Sequence, residues 1–131
     1  MRGYKTMNKT PEKCIANILK DAEKRKTVDY GDRNSVRRFN AAMDRIHANL
    51  DYIDENFPDQ IGLVVELLDS PESGVSLVCA IKLLYFRNAT PEHKQKALQT
   101  IRRIMDDPSE DKITRFALEY DFPKYEEMAR S

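Results

Sequence analysis

A chain of 131 residues with 22 basic and 22 acidic side chains carries no formal net charge, which argues against a global pull toward nucleic acid or an anionic membrane. Four glycines and six prolines are few, which favours helix, and at a length that suits one domain no metal or disulfide is needed to hold a core. No apolar run approaches ~20 residues and no leader pattern opens the chain, so the sequence reads as cytoplasmic, with no membrane contact.

Residues 1–9 read as a flexible tail and residues 10–131 as a single all-helical domain. Prolines punctuate it, because a proline at the first helical position gives up only an N–H that would lack a partner. Thr10-Pro11, Ser70-Pro71, Thr90-Pro91 and Asp107-Pro108 each set a capping oxygen before a proline. The first predicted helix runs from Pro11 to Lys26 and buries Ile15, Ile18, Leu19 and Ala22. A turn at Gly31 follows.

The second helix has an apolar seam spaced three and four residues apart: Val36, Phe39, Met43, Ile46, Leu50, Ile53 and Phe57. Such a seam can pack inside a helical domain or against a second chain, so monomer and homodimer both stay open. The third helix, Pro58 to Leu68, presents Ile61, Val64, Val65 and Leu68. The fourth, Glu72 to Phe86, is apolar nearly all round and reads as central. The fifth, Pro91 to Met105, buries Ala97, Leu98, Ile101, Ile104 and Met105. The sixth, Pro108 to Tyr120, buries Ile113, Phe116, Ala117 and Tyr120, and a short turn from Pro123 to Ala129 docks Tyr125 and Met128. Links of about two to six residues force neighbouring helices to run antiparallel. No alternating strand pattern appears.

The run Ile61-Gly-Leu-Val-Val-Glu-Leu-Leu-Asp-Ser, followed by Ser73-Gly-Val-Ser-Leu-Val-Cys-Ala-Ile-Lys-Leu-Leu, resembles a HEAT-type repeat, in which a helix ending Leu-Leu-Asp turns into a second helix rich in Val and small residues. Over residues 18–125, the order of Ala22, Gly31-Asp32, Asn40 and Ile46 before these helix pairs resembles a small bacterial family, number two thousand and nineteen of the domains of unknown function. Val75-Ser76 stands where the repeat usually has Val-Arg. The resemblance implies antiparallel helix pairs stacked as a HEAT-like α-α superhelix of about six helices. It transfers no catalytic residue. Related helical-repeat proteins serve as binding scaffolds, and some are immunity proteins.

The sequence assembles no catalytic centre: its glycines are too scattered for a phosphate loop, no Cys-x-x-Cys occurs, and His47 and His93 lie on different predicted helices. No enzyme activity, metal or cofactor is expected. Cys14 and Cys79 read as reduced core thiols. Charge, by contrast, is segregated. Residues 1–40 carry net +6, 41–72 net −7, 73–105 net +5 and 106–131 net −4. Adjacent helices of opposite charge can attract one another, or one block can steer a partner. The reading is a protein-binding module, of immunity type, that covers a basic partner through Asp51, Asp54, Glu55 and Asp59. The alternative is nucleic-acid binding through Lys24, Arg25, Arg33, Arg37 and Arg38, joined by Lys20 and Lys26.

Overall fold

The computed structural model describes residues 9–25 and 27–131, with the Arg25 side chain outside that description. The expected tail lies outside it except for Lys9, and so does Lys26, the expected end of the first helix. Among the described residues the chain is all-α, with six α-helices and no strand. It groups into two compact units, Met1–Gln60 and Ile61–Ser131.

The first unit is a helical hairpin of α1 (Pro11–Arg25) and α2 (Arg33–Asn56), closed by a 3₁₀ turn at Pro58–Gln60. Thr10 caps α1 as its sequence promised: its Oγ1 accepts the Lys13 N–H at 3.1 Å. Asp32 caps α2 by accepting from the Asn34 N–H at 3.0 Å. The intervening turn is held by Asp29, whose carboxylate accepts the Gly31 N–H at 2.9 Å and whose own N–H donates to Ser35 Oγ at 2.8 Å. Gly31 itself adopts no positive φ.

The helices run antiparallel: Asp21 meets Arg45 and Lys9 meets Asn49. Cys14, Ile18 and Ala22 on α1 and Ala42, Ile46, Leu50 and Ile53 on α2 are buried. Burying side chains of this size contributes about 1.5–3 kcal/mol for each Leu or Ile. The seam is thus realised in the second half of α2, while Val36, Phe39 and Met43 are only half-buried. On α1 the expected Leu19 is 42 % exposed, and the buried stripe runs instead through Cys14, Ile18 and Asp21.

The second unit begins with α3, a short helix over Ile61–Glu66 that tightens into a 3₁₀ turn at Leu67–Asp69. The single helix expected from Pro58 to Leu68 is therefore three short pieces, though Ile61, Val64 and Leu68 share the buried side as anticipated. Helix α4 (Ser73–Tyr85) is the most apolar and buries Val75, Cys79, Ala80, Leu83 and Leu84. Ser70-Pro71 does not cap it. Ser70 Oγ accepts the Glu72 N–H at 3.2 Å within the preceding turn, and the cap position belongs to Glu72.

Helix α5 (Pro91–Met105) starts with a capping box. Thr90 Oγ1 accepts the His93 N–H, and His93 Nδ1 accepts the Thr90 N–H, at 3.1 and 3.2 Å.

The last helix departs most from expectation. Asp107-Pro108 forms a turn, with Asp107 Oδ1 accepting from the Ser109 N–H and hydroxyl at 2.9 and 2.7 Å. These Ser109 bonds hold the Asp107 carboxyl below the usual carboxylate range. The helix begins later, capped by Asp111. It then runs unbroken from Lys112 to Arg130, through Pro123, as α6. It packs antiparallel on α5, where Arg115 Nε donates to the Met105 carbonyl and Gln95 to that of Ala129. The Arg102 guanidinium lies 4.7 Å from the centre of the Phe122 ring. Its buried residues are Leu118, Phe122, Tyr125 and Ala129. Ile113, Phe116 and Tyr120, expected in the core, are 79, 71 and 81 % exposed, and Ala117 is exposed beside them. No helix among the described residues is long and apolar enough to cross a membrane.

Candidate functional site

Three surfaces compete for a functional role, and the first is the acidic set. Asp51 and Glu55 stand one turn apart on the outward side of α2, and Asp59 is exposed in the 3₁₀ turn after it. Asp54 does not join them. It is 6 % exposed and falls, at 100° per residue, next to the Ile53 and Leu50 seam. Three of the four acids are accessible and one is committed to the interior.

The basic set is also divided. Arg33 and Arg37 occupy the outward side of α2, one turn apart and in line with Asp44, Asp51 and Glu55, so that this face passes from basic to acidic along the helix. Lys24 and Arg38 come together with Thr27, Val28, Ser35 and Phe39 around a pocket of about 210 Å³. The part of Arg25 that would contact a ligand lies outside the described residues.

A second group of cations was not assembled by sequence reasoning. On the flank of the hairpin, Lys9, Lys20, Lys24 and Arg45 line a cleft of about 270 Å³ with Asn17, Asp21, Ala48 and Asn49. Asp21 is 4 % exposed and accepts three hydrogen bonds from Arg45, two from Nε at 3.2 and 3.1 Å and one from Nη2 at 2.9 Å. Lys24 adds a contact at 3.6 Å. Burial opposes the Asp21 charge, but the hydrogen bonds and charge of Arg45, with Lys24, outweigh it and hold this carboxyl below the usual carboxylate range. Asn49, also 4 % exposed, donates to the Arg45 carbonyl at 2.9 Å and accepts from Lys9 Nζ at 3.2 Å. The sequence offered one signal for this arrangement: an acid at position 21 in phase with Cys14 and Ile18, opposite a lone arginine in an otherwise acidic block.

The third surface is the outer face of α6. Ile113, Phe116, Ala117 and Tyr120 recur at helical spacing and form one exposed apolar stripe. Lys112, Glu119, Lys124 and Glu127 are exposed on the same helix, and residues 106–131 as a whole carry net −4. Single exposed apolar residues are ordinary, whereas contiguous large ones rimmed by charge mark contact sites.

Among the described residues, nucleophiles and metal ligands are not gathered. Cys14 and Cys79 are fully buried, and burial pushes the Cys79 thiol up to about 12 and raises that of Cys14, against which Lys9 pulls. Thiols so placed are protonated and shielded. His93 is occupied in its cap. Among the described residues, no three His, Cys, Asp or Glu side chains stand close enough to hold a metal ion. Comparison of the chain with family models, with curated proteins and with solved structures gave no match in any of the three.

Proposed function

We propose that this chain is a non-catalytic protein-binding module whose contact surface is the outer face of α6, and that its partner presents an apolar groove bordered by basic residues. One observation carries the reading: Ile113, Phe116 and Tyr120 are each more than two-thirds exposed on adjacent turns of one helix. Aromatic side chains of this kind supply contact area at little entropic cost and are enriched at interface centres. The acidic excess of residues 106–131 sets the sign of the partner, through steering and rim contacts. This reading takes α6 as the contact face in preference to Asp51, Asp54, Glu55 and Asp59, of which Asp54 is buried. The resemblance of the sequence to HEAT-type helix pairs and to a bacterial family of unknown function supports a binding role. The immunity-type form, in which a basic toxin is covered in the bacterial cytoplasm, rests on that resemblance.

The test is a photo-crosslinking side chain placed at position 116 and activated in cells of the source organism. The expected product is one discrete adduct with a basic protein, lost when Glu119→Lys and Glu127→Lys are combined. Adducts containing only this chain, or none, would overturn the reading.

A further inference from the structure

We propose that the cleft on the flank of the α1–α2 hairpin is a binding site for a small phosphate-bearing anion, with inorganic pyrophosphate as its simplest probe. Four cations, Lys9, Lys20, Lys24 and Arg45, border the cleft, against one carboxylate, Asp21. That carboxylate is nearly buried and already engaged by the Arg45 Nε and Nη2 protons, so the rim keeps an excess of three positive charges.

Convergent lysines on a surface are usually just solvated. Here two buried polar groups hold the cations in place. Asp21 fixes the Arg45 guanidinium through a bidentate fork, leaving the Nη1 donors without a partner among the described residues. Asn49 anchors Lys9 through its side-chain oxygen, and the Tyr52 ring lies 5.7 Å from the same ammonium. Ordering a long cationic side chain on a ligand costs rotamer freedom. For two of the four cations, much of that ordering is already met by the folded hairpin, which is the structural meaning of preorganisation. Lys20 and the Asn17 amide, both exposed and without partners among the described residues, complete the donor set. Ala48, small and exposed, keeps the floor clear.

Size narrows the ligand. A cleft of about 270 Å³ lies below the ~300–1,000 Å³ range typical of drug-sized ligands. A phosphate or diphosphate group fits that volume, and any attached nucleoside or polymer would extend out of the cleft. The phosphate is therefore the recognised chemistry, whether it arrives free or on a nucleic-acid backbone. This site lies in the first unit and is independent of the α6 contact face, so either proposal can fail alone.

The experiment is a titration of the full chain with inorganic pyrophosphate at low ionic strength, followed by backbone amide NMR. Saturable shifts confined to Lys9 and to residues 17–24 and 45–49 are expected. Lys20→Glu, an exposed substitution that leaves the Asp21–Arg45 pair intact, should weaken binding about tenfold or more, while Lys112→Glu on α6 should leave it unchanged. A single-stranded oligonucleotide is then added. Displacement of pyrophosphate with a steep salt dependence assigns the phosphate to a nucleic-acid backbone, and failure to displace it assigns a free anion. The proposal is overturned by an absence of shifts up to about 10 mM pyrophosphate, which means binding weaker than millimolar. It is equally overturned by shifts scattered over the lysines of both units, or by binding that Lys20→Glu leaves intact.

Discussion

Helices α2 and α6 place apolar residues at the same spacing but treat them differently. On α2 the outward side is charged, with Arg33, Arg37, Asp44, Asp51 and Glu55 exposed, and only one stripe is left to bury. On α6 there are two apolar stripes. Ile113, Phe116, Ala117 and Tyr120 form one, and Leu118, Phe122, Tyr125 and Ala129 form the other, about 160° away around the helix at 100° per residue. The second is buried and the first faces water. Helical spacing says that a face is apolar. It says which face is inside only when the opposite face is polar.

The largest effect expected from this difference lies in α6 itself. Phe122→Ala should cost about 3 kcal/mol, the low end for a large-to-small change in a core, and Leu118→Ala a comparable amount. Chemical denaturation followed by circular dichroism would check both. A loss below about 1 kcal/mol at either position would mean that α6 is not seated on its second stripe.

Why the sequence pointed to the wrong stripe is a matter of one proline. Phe122-Pro123 looks like a stop, and a helix ending at Tyr120 contains four members of the first stripe and only Leu118 of the second. Pro123 instead sits within the helix, forfeiting the hydrogen bond to the Glu119 carbonyl at a cost of roughly 3 kcal/mol. Glu119 and Pro123 are both exposed, which leaves the freed carbonyl open to water, and burial of Phe122, Tyr125 and Ala129 beyond it offsets the loss.

Elsewhere the pattern was easier to read. The Thr10 and Thr90 caps, the central apolar α4 and the α5 stripe all follow from local chemistry. The Asp21–Arg45 pair and the burial of Asp54 could not be read in full from the sequence, because an acid beside an apolar stripe looks like a solvated residue until the register of a hairpin buries it and, for Asp21, brings Arg45 to it. Three of the four acids and most of the basic set were located on the surface as expected, but which of them converge depends on that register.

The charged pair supplies the next prediction, in pH. The Asp21 pKa is lower in the folded chain than the ordinary ~3.9 of the unfolded one. Its contribution is therefore complete above that ordinary value and disappears as pH falls through the lower, folded value. Asp21→Asn should destabilise by about 1–2 kcal/mol at neutral pH, kept modest because Arg45 stays half-exposed and can rehydrate. The gap to the parent chain should close as pH falls through that lowered value. Arg45→Ala should also destabilise most at neutral pH, because it leaves a buried carboxylate with less compensation, and that loss should shrink as acid protonates Asp21. A constant gap for Asp21→Asn at all pH values would show that its ionisation does not differ between folded and unfolded states.

A smaller loss, about 1 kcal/mol, is expected for Thr90→Ala, which removes one half of the capping box on α5. His93→Ala removes the reciprocal half. If the two act as one motif, the double variant should cost less than the sum of the singles, and a double-mutant cycle measures that difference. Full additivity would reduce the box to two separate hydrogen bonds.

The smallest effect is the one that separates stability from recognition. Phe116→Ser and Tyr120→Ser remove apolar surface that the fold already leaves in water, so each should change unfolding free energy by no more than about 0.5 kcal/mol, the ordinary range for surface sites. The same substitutions should abolish partner capture, because a buried aromatic at an interface centre carries about 2 kcal/mol or more of binding. A destabilisation of several kcal/mol would mean that the outer stripe of α6 is core after all. Unchanged stability with unchanged capture would move the contact away from this face. Only unchanged stability with lost capture fits a helix that uses one apolar stripe to fold and keeps the other for a partner.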